Sequence, residues 1–267
     1  MRTVERIFVA AGDVAVDAQA ALARAAEEHG LEGVWVHGPS SRHGDSYATT
    51  AAAAVASATT DLRVGVVLRV SAPEDVLRLA EDLAVLDHCS SGRAEVCLDG
   101  RWAHDAGAPT WSADALRLMT NLRSCPVGDR QIAVTPGPLQ PAIPAVALGQ
   151  AIVGMGTVAP LDGPAVQSPR TVRYLGTQRT QALIEAAADP GTLRDAIEQL
   201  RGEVDRCGAQ DIVFVLPTGA SSDAGSNDDH VRTLACVIAP ILRANEDEVA
   251  DLVLDTLKFQ KALPSRR

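Results

Sequence analysis

The sequence predicts an α/β protein with a parallel sheet, and three observations support that fold class. Short β-branched runs alternate with longer helical periods through the first half of the 267 residues. The run Arg63–Arg69 is almost continuously apolar between its ends, as expected of a strand buried on both faces. A hydrophobic fraction of 46% suffices for a large core. No long flexible linker interrupts the pattern, so we expect one domain over residues 1–267.

The first two strand and helix units are clear. A strand at Ile7–Ala11 precedes an Ala-rich helix that opens at Asp17 and stops at Gly30, a residue suited to a helix C-terminus. A second strand at Gly33–His37 precedes another Ala-rich helix at Tyr47–Thr59. The pattern of strand followed by helix therefore repeats.

The next unit starts with the strand Arg63–Arg69. Ser71 and Glu74 form a capping box at the start of a helix that runs to about Asp87, because the hydroxyl and the carboxylate can both bind backbone N–H groups there. Arg93–Leu98 is the fourth strand.

The second half carries weaker signals. We expect helices at Ser112–Leu122, from the N-cap Asp189 with Pro190 at the first position, from the N-cap Asn227, and over 246–262 after the N-cap Asn245. Strands are expected at Ala145–Leu148 and Ile212–Leu216, with Ile152–Val158 and Gln181–Glu185 as further candidates. Residues 149–189 show no clear helical period and are expected to be irregular.

Two architectures accept repeated parallel units, the closed eight-stranded barrel and the open doubly wound sheet. The dinucleotide-binding version of the open sheet requires several glycines after the first strand, whereas the turn Ala10–Val16 has one. We therefore favour a TIM-type (β/α) barrel. The six firm strands and the Pro- and Gly-rich stretch 136–169 predict that the barrel is incomplete or irregular in its second half.

Composition excludes several classes of function. The formal net charge is -10 and no dense basic stripe is present, so nucleic acid is not an expected partner. No apolar run approaches the roughly 20 residues that cross a bilayer, and the N-terminal apolar stretch is too short for a signal peptide. Five cysteines without a C-x-x-C pair predict reduced thiols and neither disulfides nor zinc. The expected location is the cytoplasm.

The active site of a parallel barrel lies in the loops after the carboxyl ends of the strands. His37 could act as a general base or hold a ring by hydrogen bonding, although a solvated loop histidine is the plainer alternative. Arg69 ends an otherwise apolar strand and fits an anion-binding role. We expect no metal, because His37, His43 and His104 share no helical face. The full set of candidates in these loops is His37, Ser40, Ser41, His43, Arg69, Ser71, Asp99, Arg101, His104 and Gln150.

Several segments resemble the bacterial luciferase-like monooxygenase superfamily. The segments are AEEHGLEGVWV at 26–36, Ala54–Thr60 leading into LRVGV at 62–66, and above all LAEDLAVLDHCSSGR at 79–93. The run at 138–149 is similar to the fifth strand of the family. Asp87 and Arg93 precede the fourth strand, at the end opposite the expected site, and are expected to tie helix to strand as an ion pair. The chain is identified as a shortened and divergent member, with residues 149–189 much shorter than the family norm.

The resemblance implies a barrel that binds FMN or the deazaflavin F420 and acts as an oxidoreductase or monooxygenase on a small organic substrate. Among the residues that the strand-end rule selects, we expect catalytic roles for His37 and His43, and cofactor binding by Arg69, Ser71, Asp99, Arg101 and Gln150. Two alternatives remain open: a non-catalytic subunit that pairs with a paralogous enzyme, and a protein that binds a ligand without turnover.

The helix around Ala48–Ala58 consists almost entirely of small residues, which lets another backbone approach closely. Luciferase-like proteins typically dimerise through helices of this half. We therefore expect a homodimer, or a heterodimer with a paralogue, with this helix near its centre and with Ala53 and Ala56 on the outward face.

Overall fold

The structure is a computed structural model, and it describes residues 4–11, 14–37, 44–68, 82, 85–86, 88–98, 133–136, 152–153, 172–217, 224–244, 248–249 and 252–253. Its strands are β1 (Arg6–Ala11), β2 (Gly33–His37), β3 (Arg63–Leu68), β4 (Ala94–Leu98), β5 (Ala133–Pro136), β6 (Ile152–Val153), β7 (Val172–Leu175) and β8 (Asp211–Leu216). Its helices are α1 (Val16–Glu28), α2 (Gly44–Ser57), α3 (Thr177–Ala186), α4 (Pro190–Cys207), α5 (Ala224–Thr233) and α6 (Ala239–Arg243). None of the helices in these ranges is long and apolar enough to cross a membrane.

The described strands form one sheet in the order β5-β4-β3-β2-β1-β8-β7-β6. All neighbours pair in parallel except β6 and β7, which are antiparallel. Among these strands no pairing joins β5 to β6, so the sheet is open there. The predicted α/β class, with a barrel that is incomplete and irregular in its second half, is confirmed.

Two helix termini follow the local chemistry of the sequence. Gly30 has a φ of +75°, a left-handed conformation that glycine adopts without strain, and it follows the end of α1. Asp189 accepts a hydrogen bond from the backbone N–H of Thr192 at 2.9 Å, and Pro190 occupies the first helical position of α4. The predicted N-cap of α4 is therefore confirmed.

A single π-helical turn, Leu234–Ile238, joins α5 to α6. Pro240 lies just beyond it and has no N–H to donate to the preceding turn. The wider turn accommodates the proline, since the N–H of Ala239 bonds the carbonyl of Leu234, five residues back. The helical path from α5 to α6 therefore continues past Pro240, which would otherwise interrupt it.

Alternation along the strands divides the apolar side chains between two faces. The larger core lies between the sheet and the helices and includes Ile7, Val9 and Phe214. A smaller cluster lies on the opposite face, which we call the inner face, and consists of Phe8, Ala10, Trp35, Tyr174 and Val213 with Val215 partly buried beside it.

The structure corrects several local expectations. Gln181–Glu185 lies within α3 rather than in a strand, so part of the 149–189 region is regular. Asn227 lies inside α5 and does not cap it. Strands β5 and β7 were not expected, because Ala133–Pro136 and Val172–Leu175 are only four residues each and lie beside Pro- and Gly-rich sequence.

The expected outward face of α2 is wrong at one of its two positions. Ala56 is 1% exposed and belongs to the core between sheet and helices, whereas Ala53 is partly buried against that core. The error arose because a helix made of small residues has no apolar stripe from which its inward side can be read. The strand expected at Ala145–Leu148 and the helix expected at Ser112–Leu122 lie outside the described residues.

Candidate functional site

The amino edge of the sheet, where the strands begin, carries a group of four charged side chains, of which the two carboxylates are buried. The guanidinium of Arg6 bonds both oxygens of Asp211, at 2.6 and 3.1 Å, and also donates to Glu95. Glu95 accepts a further bond from Arg63 at 2.7 Å. Glu95 and Asp211 are 1% and 0% exposed, so each buried carboxylate has an arginine partner. We call this group of Arg6, Arg63, Glu95 and Asp211 the charged plug; its hydrogen bonds connect the amino ends of the strands.

The positive charge in that plug also packs on an aromatic ring. The guanidinium carbon of Arg6 lies 5.0 Å from the centre of the Phe8 ring, within the range of a cation–π contact. Burial lowers the pKa of Arg6, but the hydrogen bond to Asp211 and the charges of Glu95 and Asp211 outweigh it, and the net pKa is raised. Arg6 therefore stays charged, and its hydrogen bonds to Asp211 and Glu95 link β1 to β8 and β4.

A second set of hydrogen bonds stabilises the turn between α2 and β3. One carboxylate oxygen of Glu27 accepts hydrogen bonds from the backbone N–H groups of Thr60, Asp61 and Leu62, at 2.8, 2.7 and 3.0 Å. Burial raises the pKa of Glu27, but these bonds and the nearby charge of Arg93 outweigh it, so the net pKa is lowered. The carboxylate thus holds the turn in its ionised form.

Arg93 binds the same turn from the other side. Its guanidinium donates to the carbonyls of Ala56, Thr59 and Leu62 at 2.8, 3.1 and 2.6 Å, and to the hydroxyl of Thr59 at 3.1 Å. Burial lowers the pKa of Arg93. The structural role expected for Arg93 is confirmed, with backbone carbonyls as partners; the expected ion-pair partner, Asp87, lies outside the described residues.

Three aromatic rings fill the inner face above the plug. The centre of the Trp35 ring lies 6.0 Å from that of Phe8 and 6.2 Å from that of Tyr174, with an interplanar angle of 67° in both pairs. These are edge-to-face contacts. The indole N–H of Trp35 is buried and has no hydrogen-bond partner in the described part of the chain.

Two glycines allow the rings to lie against the strands. A Cβ at Gly33 would lie 2.4 Å from the Phe8 ring, and a Cβ at Gly65 would lie 2.3 Å from the Trp35 ring. Gly33 is the register partner of Phe8 and Gly65 that of Trp35, so each ring crosses onto the neighbouring strand. Phe8 and Trp35, two of the large residues of this surface, are therefore each paired with a glycine on the neighbouring strand.

A row of four residues crosses the carboxyl edge, where the strands end. His37 is in register with Val67, Val67 with Cys97, and Cys97 with Thr135. Position 37 is two residues after Trp35 in the same strand, so it falls on the inner face in the two-residue period of a strand. The register therefore aligns these four positions at the carboxyl ends of β2 to β5.

The structure places the strand ends that the site prediction requires. His37 is the last residue of β2, Arg69 follows the last residue of β3, and Asp99 follows the last residue of β4. Since β2, β3 and β4 are successive neighbours, the carboxyl ends of these three strands lie at one edge of the sheet. The side chain of His37, and the residues His43, Arg69, Ser71, Asp99, Arg101 and Gln150, lie outside the described part, so their roles stay predictions.

Sequence reasoning missed three positions near this edge. Trp35 was not singled out, although the alternation of β2 already places it on the same face as His37. Cys97 was interpreted only as a small hydrophobe, and Thr135 belongs to a strand that was not expected. The register of β4 and β5, which brings both into the row of His37, has no local signal in the sequence.

Comparison with known proteins supports the resemblance. Residues 4–105 match the family model of luciferase-like monooxygenases, which confirms the resemblance and supports a general monooxygenase-type function. The crystal structure of apo-MsnO8 is similar at a TM-score of 0.50 and 17% identity, covering 93% of this chain and 98% of that one. The monooxygenase RslO1 from Streptomyces bottropensis is similar at a TM-score of 0.36 and 16% identity, with 95% and 89% covered. No curated protein matches the chain.

Proposed function

We propose that the protein is a luciferase-like oxidoreductase that binds FMN or F420 at the carboxyl edge of its sheet and acts on a small organic substrate. The match of residues 4–105 to luciferase-like monooxygenases is the observation that carries the proposal. Those residues include all of β1 to β4, whose carboxyl ends lie at one edge of the sheet, and in the sequence His37 ends β2 while Arg69 and Asp99 directly follow β3 and β4. Active sites of parallel barrels lie at that edge.

The inner face fits a flat, mostly apolar cofactor ring. The aromatic surface of Phe8, Trp35 and Tyr174 lies next to this edge, and it contains an unpartnered buried donor in the described part of the chain, the indole N–H of Trp35. Ligand sites are typically apolar surfaces with a few placed polar groups. A bound flavin or deazaflavin supplies the hydride or oxygen chemistry.

The chain's own residues would bind and orient the reactants. We propose that Arg69, Ser71, Asp99, Arg101 and Gln150 hold the cofactor, with Arg69 pairing with an anionic group such as a phosphate. His37 and His43 would hold or move a proton at an imidazole nitrogen beside the substrate. The aromatic surface would exclude water from this space.

Binding of the cofactor tests the proposal directly. The purified full chain should bind FMN or F420, as shown by the absorbance spectrum and the mass of material extracted from it, and by titration of the apoprotein. Arg69→Ala should weaken binding about tenfold or more, because a charge-assisted contact is lost, while the urea midpoint of unfolding stays the same.

His37→Asn is the matched variant for catalysis. It should bind the cofactor with unchanged affinity but reduce turnover, so that the two roles separate. A folded wild-type protein that binds neither FMN nor F420, oxidised or reduced, would overturn the proposal. That outcome would favour the non-catalytic subunit or the ligand-binding protein.

A further inference from the structure

We propose that the indole N–H of Trp35 is a ligand donor: it hydrogen-bonds a carbonyl oxygen on a flat aromatic molecule bound against the inner face. The inference rests on the proposed function, because it places that molecule at the same edge of the sheet. It assigns a positioning role to a residue that the sequence candidates do not include.

The first step is the unmet hydrogen bond. Trp35 is 1% exposed, and its N–H has no hydrogen-bond partner among the residues that the structure describes. An indole N–H can only donate, and buried polar groups in native proteins are nearly always paired. A bound molecule that presents an acceptor would meet this need.

The second step is the position of Trp35 along the strands, relative to the carboxyl edge of the sheet. Phe8 is in register with Val213, and Val213 with Tyr174, so these residues form one row across β1, β8 and β7. Trp35 pairs with Ala10, which is two residues further along β1 toward the carboxyl edge. Trp35 is therefore the aromatic residue of the cluster nearest to the carboxyl edge along the strands, one step of the two-residue period beyond the row of Phe8.

The third step is the chemistry of the surface. The chain has three Trp, two Tyr and three Phe, and three of these eight side chains lie in this cluster. Gly65 lets the Trp35 ring lie across β3, where a Cβ would strike it. A surface of rings that includes the indole donor of Trp35 favours a flat, mostly apolar molecule that presents an acceptor. A carbonyl on an aromatic ring meets both requirements, and it occurs both in the isoalloxazine of FMN and in aromatic ketones.

The experiment observes the donor itself by NMR of the full chain labelled with ¹⁵N at tryptophan. Three indole N–H signals are expected, and the one missing in Trp35→Phe belongs to Trp35. Two arms distinguish the source of the carbonyl: titration with FMN, and titration with 1-acetonaphthone, an aromatic ketone. The matched control for the second arm is 1-ethylnaphthalene, which has the same ring system and no acceptor.

The expected result is a downfield shift and slower solvent exchange of the Trp35 indole proton with FMN, the ketone or both, and no such change with 1-ethylnaphthalene. A response to FMN alone assigns the carbonyl to the cofactor, and a response to the ketone alone assigns it to an organic substrate. Trp35→Phe should bind the responding ligand roughly three- to tenfold more weakly, the loss expected for one hydrogen bond.

Failure of this inference is distinct from failure of the proposed function. If wild-type protein binds FMN while the Trp35 signal responds neither to it nor to the ketone, the inference is overturned and the cofactor proposal stands. If FMN does not bind, the cofactor proposal is decided by F420 binding, and the ketone arm decides the inference. An equal shift with 1-ethylnaphthalene also overturns the inference, because the hydrogen bond would then play no part. If Trp35→Phe does not fold, the signal that persists in both Trp102→Phe and Trp111→Phe is that of Trp35, and its wild-type shifts decide.

Discussion

The amino edge of the sheet and its inner face differ in the kind of groups that they bury. At the amino edge, the buried carboxylates of Glu95 and Asp211 are both paired with Arg6, and Glu27 and Arg93 bind one turn through seven hydrogen bonds. On the inner face, the aromatic cluster contains a buried indole donor without a partner in the described ranges. The buried carboxylates are thus paired within the protein, whereas we propose that a ligand pairs with the indole donor.

This difference bears on which part of the structure the family resemblance reflects. The segments 26–36 and 79–93 contain Glu27 and Arg93, which fasten the turn between α2 and β3. Their likeness to luciferase-like proteins therefore reflects how the scaffold is held together. The chemistry depends on residues after His37, Leu68 and Leu98, where the sequence has fewer family features. A chain can keep the first set of contacts while the second set changes.

The largest expected effect is at the amino edge. Glu95→Ala leaves Arg6 without one of its buried partners, and we expect a loss of about 3–5 kcal/mol in the free energy of unfolding, measured with urea. The control is Glu198→Ala, which breaks the pair of Arg194 and Glu198, both 57% exposed, and should cost about 0.5 kcal/mol or less. If the two variants are equally stable, the plug is not a structural requirement.

The next effect tests the glycine beneath the aromatic surface. In Gly65→Ala the new Cβ would lie 2.3 Å from the buried Trp35 ring, so the ring or the strand must shift, at a cost of about 1–3 kcal/mol. Cofactor binding should weaken as well, because the ring defines the surface.

Gly202→Ala is the matched control for that change. Gly202 lies inside α4, with nothing within 4 Å of a new Cβ, so alanine should stabilise the protein by about 0.5–1 kcal/mol. Opposite signs for the two variants are the expected outcome. A neutral Gly65→Ala would show that the Trp35 ring is not confined as described.

A smaller effect depends on pH. The pKa of Glu27 is lowered in the folded protein, so its contribution to stability is present above the unfolded pKa of about 4.3 and is lost as the pH falls through the folded value. Glu27→Gln should cost about 1 kcal/mol at pH 7, and this difference from wild type should shrink below about pH 4. The exposed neighbour provides a control, Glu28→Gln, which should change little at either pH. A difference that grows in acid would contradict the assigned role.

The amount that the sequence predicts also differs between regions. Strands β1 to β4 were predicted within one residue at their ends, because each is a short, mostly apolar run that contains β-branched residues and recurs in a repeating pattern of strand and helix. Strand β7 contains Arg173 and Tyr174 within four residues, and β6 has only two residues, so neither shows a periodic pattern. Their place in the sheet follows from pairing with β8, which is set by tertiary contacts.

For the candidate site, the sequence could predict only the edge of the sheet at which the site is expected, the carboxyl edge. The rule for parallel barrels selected His37 and the positions after β3 and β4, and the strand ends are where that rule requires. Trp35 was not identified, because its importance depends on the glycine at position 65 in a neighbouring strand and on an unmet hydrogen bond. Neither property can be read from one segment of sequence.

The smallest expected effect on stability concerns assembly through α2, where the structure changes which residues can be tested. Ala56 is buried, so Ala56→Glu would destabilise the fold and reveal nothing about a dimer. Thr50 is exposed and Ala54 half-buried, one turn apart on the same helix face. We expect a dimer with this face at its centre, and Ala54→Glu should give a folded monomer by light scattering, with stability within about 0.5 kcal/mol of wild type, because a two-fold interface places the new charge opposite its own copy. Ala182→Glu, the same change at an exposed position of α3, should leave the dimer intact. A wild-type protein that is already monomeric at tens of micromolar, roughly the range in which a specific interface holds, would show that the small residues of α2 serve only its own fold.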